Sequence, residues 1–123
     1  MKRAILPVCL ALLVFAGSAA AQTERKDGRV FWKGEIDDKV QLVITGLSIT
    51  SRTVSGRQLA DGNHSFTARL PRDVVTVAVT KMEGRGDVAV VQQPSAENDF
   101  TAIVEITDEK GGSDDYLLDI TWQ

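Results

Sequence analysis

From Val30 to the C-terminus the chain alternates apolar and polar positions with a period of two. Val40, Leu42 and Ile44 alternate with Gln41, Val43 and Thr45; Ala102, Val104 and Ile106 with Thr101, Ile103 and Glu105; Tyr116, Leu118, Ile120 and Trp122 with Leu117, Asp119 and Thr121. Such alternation sends one set of side chains to a buried sheet face and the other to water or an edge. Turn signals separate the runs: Asp37-Asp38, Gly46, Asp61-Gly62-Asn63, Pro71, Gly84-Arg85-Gly86, Pro94–Asn98 and Gly111-Gly112-Ser113. The pattern predicts short strands near Phe31, Leu42, Ile49, Phe66, Val77, Val90, Val104 and Leu118, and no stretch has a helical period. Seven to eight such strands predict an all-β fold, an antiparallel β-sandwich over residues 29–123.

The N-terminus breaks this pattern. Lys2 and Arg3 precede a nearly unbroken apolar run from Ala4 to Ala16, and Ala19-Ala20-Ala21 offers a small-x-small cleavage site. Residues 1–21 therefore read as a secretory signal peptide, too short in its apolar part to span a membrane. Cleavage leaves 102 residues, of which 22–28 form a polar, aperiodic lead-in. Losing Lys2 and Arg3 lowers the 14 basic residues to 12 against 17 acidic ones, a net charge of −5. An acidic domain argues against nucleic acid and anionic membrane as partners. Cys9 leaves with the leader, so the mature domain has no thiol or disulfide, and the chain is expected outside the cytoplasm, periplasmic or secreted.

Candidate chemistry is sparse. His64 is the single histidine; Ser65 beside it points to the opposite face of a strand, which rules out a serine–histidine pair there. Glu35, Asp37 and Asp38 flank one turn and Asp108, Glu109, Asp114 and Asp115 another, but Lys39 and Lys110 interleave with them and no D-x-D-x-D-G loop occurs. We therefore expect no metal site, no cofactor and no catalytic residue. Trp32 and Trp122 fall on core parities rather than forming a sugar-stacking pair.

One tripeptide stands out. Arg85-Gly86-Asp87 lies in the sequence EGRGDV. Presented on a hairpin tip it would be a ligand for a receptor protein, so Arg85 and Asp87 are the candidate binding residues. Read instead as a turn, Gly84 or Gly86 supplies a positive φ, and Arg85 and Asp87 are exposed charges that contribute little to stability.

The segments FWKGEIDDKVQLVITG (31–46) and LPRDVVTVAVTKMEGRGDVAVVQQPSAENDFTAIVEITDEKGGSDDYLLDITW (70–122) together resemble a group of small exported bacterial proteins with no assigned activity. The shared features are a tryptophan-glycine-aspartate-aspartate opening, a glycine-arginine-glycine hairpin expected to join the runs around Val77 and Val90, the QQPS turn and the closing tryptophan. The resemblance implies an exported bacterial β-domain and carries over no functional residue. The expected function is non-catalytic: a binding or interaction module of the bacterial envelope, taking a protein or glycan ligand. A carboxylate-dependent hydrolase and a structural subunit of an envelope assembly are the alternatives.

Overall fold

The computed structural model describes residues 26–57 and 61–123. The expected signal peptide, 1–21, lies outside the described residues. Six strands form one antiparallel sheet: β1 (Gly28–Thr45), β2 (Ser48–Ser55), β3 (Asn63–Phe66), β4 (Val77–Glu83), β5 (Asp87–Gln92) and β6 (Ala102–Trp122). A single 3-10 turn spans Ala96–Asn98, and no α-helix occurs among the described residues. The all-β expectation is met. The strand count changes because two pairs of runs merge: the runs around Phe31 and Leu42 are both β1, and those around Val104 and Leu118 are both β6.

These two long strands are the axis of the sheet, paired from Gly28↔Trp122 to Ile44↔Ala102. The other four lie beside them in halves. β3 pairs with the first half of β1 and β2 with the second. β4 pairs with the second half of β6 and β5 with the first. The expected hairpin between β4 and β5 is therefore corrected. A reversal would set β5 against β4; instead both run antiparallel to β6 in succession, as one path interrupted at 84–86. The path of β2 and β3 along β1 is likewise divided, β2 ending at Ser55 and β3 beginning at Asn63.

The interruptions fall at one level of the sheet. Between β1 and β6 the register shifts from Asp37↔Ser113 to Asp38↔Asp108, which leaves Glu109–Gly112 outside the ladder. Positive φ angles mark the level on all four paths: Asp38 (63°), Gly56 (88°), Gly84 (131°), and Gly111 and Gly112 (82° and 70°). The paths touch there, since a Cβ on Gly56 would stand 2.6 Å from the Asp38 Cβ. Extra unpaired residues and left-handed backbone are where strands can bend, and here they fall along one line across the middle of the sheet, called the bend line below.

One face of the sheet carries the core. Val30, Trp32, Ile36, Val40, Leu42 and Ile44 of β1 are buried together with Ala102, Val104, Ile106, Tyr116, Leu118, Ile120 and Trp122 of β6. Every one of these is even-numbered, so the period of two survives the bend. Leu70 and Val75, from the segment before β4, close over the same cluster. Both tryptophans are core residues, at 1 % and 2 % exposure, as their parity predicts.

Candidate functional site

A dense polar cluster lies at the bend line and is built around Arg85. Between β4 and β5 the chain passes over β6 where Glu109–Gly112 bulges away. There the Arg85 Nε donates to Asp108 Oδ1 and Oδ2 at 2.9 and 3.0 Å. Its Nη2 donates to the Gly111 and Gly112 carbonyls at 2.6 and 3.2 Å, and its backbone N–H to Asp114 Oδ2 at 3.0 Å. The Tyr116 hydroxyl donates to Asp108 Oδ2 at 2.9 Å and accepts from the Gly86 N–H at 2.7 Å. Asp108 sits on the core parity, which is why a carboxylate is buried here at all.

Burial pushes the Asp108 carboxyl up, but hydrogen bonds from Tyr116 and Arg85 and the guanidinium charge outweigh it and hold Asp108 below the usual carboxylate range. Burial, followed by the hydrogen bond to Asp108, pushes the Tyr116 phenol up to about 12. Both groups are thus locked in one protonation state at neutral pH. A general acid or base needs a pKa near its working pH, and this pair has been moved away from it.

The glycines of the tripeptide region are required for two different reasons. Gly84 holds a positive φ, as the turn reading expects, and its Cα faces the Tyr116 ring so closely that any Cβ would overlap it. Gly86 has no positive φ; a Cβ there would collide with the Thr107 carbonyl and the Tyr116 hydroxyl. The expectation that Arg85 is a free surface charge is corrected: its guanidinium is spent on a buried carboxylate. Asp87, the other candidate binding residue, is exposed at the start of β5 opposite Thr107. The structure does not bring the two side chains into one constellation.

The remaining acids are also dispersed. Asp37 pairs with Arg57 at 3.1 Å, and Ser113 donates to Glu35 at 2.8 Å. No group of three metal-ligating side chains forms among the described residues. His64 is exposed in β3 with its ring edge-on to Phe66 at 5.5 Å.

A second feature lies at the opposite end from Trp122, where the β1–β2 turn meets the segments 69–72 and 95–100. A cleft of about 710 Å³ opens there, lined by Leu47, Arg69, Pro71, Arg72, Asp99 and Phe100 among others. The Leu70 N–H donates to the Gly46 carbonyl at 3.0 Å and fixes one wall. The other wall is a rigid turn. Asn98 Oδ1 accepts from the Ser95 and Thr101 N–H groups at 3.0 and 2.9 Å, its Nδ2 donates to the Gln93 carbonyl at 2.9 Å, and the Phe100 N–H donates to Ser95 O at 2.7 Å. Gln93 in turn exchanges both amide hydrogen bonds with the Val77 backbone, at 2.7 and 3.0 Å.

This turn forces Asp99 and Phe100 into consecutive left-handed conformations, φ 58° and 53°. For residues with a Cβ that costs on the order of 1–2 kcal/mol each. Phe100 is half-buried and lies outside the core cluster. Arg72 covers its ring at 5.6 Å from the centroid and donates to Asp99 Oδ1 at 2.5 Å.

Sequence reasoning missed both constellations. Asp108, expected to flank a turn, is instead a buried residue of β6 two positions beyond Ile106 on the same parity; a charge on that parity signals a buried partner, and the partner, 23 residues away, is invisible without the fold. The cleft had no sequence signal beyond the Pro94–Asn98 turn. No protein-family model matches this chain, and no curated protein or solved structure shows significant similarity to it.

Proposed function

We propose that this chain is an exported bacterial domain that binds a protein or glycan partner in the cell envelope and catalyses no reaction. The observation that carries this reading is where the ionisable groups are used. Asp108, Tyr116 and Arg85 neutralise and saturate one another at the bend line, whereas the cleft between residues 45–47, 69–72 and 99–100 presents arginines, apolar surface and one ion-paired carboxylate. That lining suits recognition and lacks an oriented nucleophile or base.

The fold reading that goes with it is a two-layer sandwich made by bending one sheet, its halves facing across the shared core. Its support is burial: residues on both sides of the bend line, such as Trp32 and Leu42, belong to one cluster, and no α-helix is present among the described residues to cover that face. Export rests on the N-terminal charge, apolar run and Ala19-x-Ala21 site. Mass spectrometry of the protein recovered from outside the cytoplasm should find a chain beginning at Gln22; a chain retaining Met1 would contradict it.

The binding reading is tested by affinity capture. Immobilised protein exposed to envelope extract of its own cells should retain a discrete partner in a saturable manner, with no turnover of the retained material. Absence of any saturable partner, or release of a hydrolysis product from it, would overturn the reading.

A further inference from the structure

The geometry points to the cleft beside Phe100 as a binding site for an organic anion carried on an apolar body, with Arg69 holding the anionic group and Leu47, Pro71 and Phe100 holding the body. This inference rests on the binding reading above and names its ligand class.

Three observations carry it. The first is Phe100 itself. Its backbone is left-handed, a conformation glycine adopts without cost, yet the position holds a large aromatic side chain that is absent from the core cluster. A ring kept in a strained position outside the core is doing something other than packing the fold, and it borders the cleft. The second is rigidity. The Asn98, Ser95 and Gln93 hydrogen bonds fix the turn that carries the ring, and the Leu70–Gly46 bond fixes the facing wall. A site held by such supports loses little entropy when it is filled. The third is charge. Two arginines and one aspartate line the cleft; Arg72 is matched by Asp99, while Arg69 makes no ion pair among the described residues. The cleft therefore carries one uncompensated positive charge on a domain whose expected mature net charge is −5. A guanidinium binds carboxylates through paired N–H donors, and exposed Leu47, at 58 % accessibility, gives the apolar remainder somewhere to bury.

The test is a titration of the isotope-labelled protein with 4-phenylbutyrate, followed by amide chemical shifts. Acetate, which lacks the apolar body, and 4-phenylbutan-1-ol, which lacks the charge, serve as comparisons. We expect saturable shifts confined to the amides of Gly46, Leu47, Arg69, Arg72 and Phe100, with both comparison compounds at least about tenfold weaker. Arg69→Gln should weaken binding roughly tenfold. Phe100→Gly should weaken it similarly while leaving the melting temperature unchanged or raised, because glycine relieves the left-handed strain; a merely structural Phe100 would lower it. Shifts that do not saturate or that map elsewhere, equal binding of the alcohol, or indifference to Arg69→Gln would each overturn the inference. Should these fail while envelope capture succeeds, the cleft assignment falls and the binding reading stands; failed capture removes the binding reading itself.

Discussion

At the scale of single residues, the tripeptide Arg85-Gly86-Asp87 separates into three unlike roles. Arg85 neutralises a buried carboxylate, Gly86 lets the backbone close on the Thr107 carbonyl and the Tyr116 hydroxyl, and Asp87 is an exposed strand residue. Substitution should separate them. Gly84→Ala and Gly86→Ala each introduce a Cβ with no room, and should cost about 2–4 kcal/mol in chemical denaturation, from overpacking and, at Gly84, the added left-handed penalty. Asp87→Ala should stay within about 0.5 kcal/mol of the parent. Arg85→Ala should cost about 2–3 kcal/mol. That lies below the figure for a wholly buried pair, because its side chain keeps 36 % of its surface in water.

Titration at the same cluster gives a second residue-scale expectation. Asp108 has a lowered pKa, so its contribution is present above the unfolded-state value near 4 and is lost as pH falls through the folded value. The stability difference between the parent and Asp108→Asn should be constant from about pH 6 to 8 and shrink below about pH 4. Tyr116 is shifted the other way. Its contribution is full below the unfolded value near 10 and is lost as pH rises toward about 12. The advantage of the parent over Tyr116→Phe should therefore narrow across that alkaline window. Denaturant midpoints measured against pH check both, and a difference that is flat at either end contradicts the corresponding assignment.

At the scale of elements, the strands themselves were legible in the sequence, because a period of two states which face each residue takes. β6 shows it: Leu118 is fully buried and Leu117 is not. Leu118→Ala should cost about 2–5 kcal/mol as a core truncation, and Leu117→Ala clearly less; equal costs would contradict the register of this strand. Two things were not legible. Alternation does not say whether successive runs are separate strands or one, and Asp37-Asp38 and Gly111-Gly112 read as turns when they are bulges within β1 and β6. Nor does a glycine pair distinguish a reversal from an interruption, so Gly84-Arg85-Gly86 looked like a hairpin tip. In both cases the deciding fact is which strand the next segment pairs with, a long-range choice that local patterns do not encode. The same limit hid the cleft, whose walls come from residues 45–47, 69–72 and 99–100.

For the molecule as a whole, the bend line is the organising feature. Every path across the sheet breaks its ladder there, and breaking ladders exposes polar backbone that must be satisfied. Arg85 does much of that work: it takes the Gly111 and Gly112 carbonyls freed by the bulge and neutralises the carboxylate that the core parity buries beside them. On this reading Arg85 pins the 84–86 crossing onto β6, and its guanidinium is engaged within the fold by Asp108 and the Gly111 and Gly112 carbonyls. A double-mutant cycle on Arg85→Ala and Asp108→Asn, read from equilibrium denaturation, measures that pin directly. A coupling of about 1.5–3 kcal/mol between the two positions is expected; substitutions that add within about 0.5 kcal/mol, with Arg85→Ala near neutral, would show that no such pin exists.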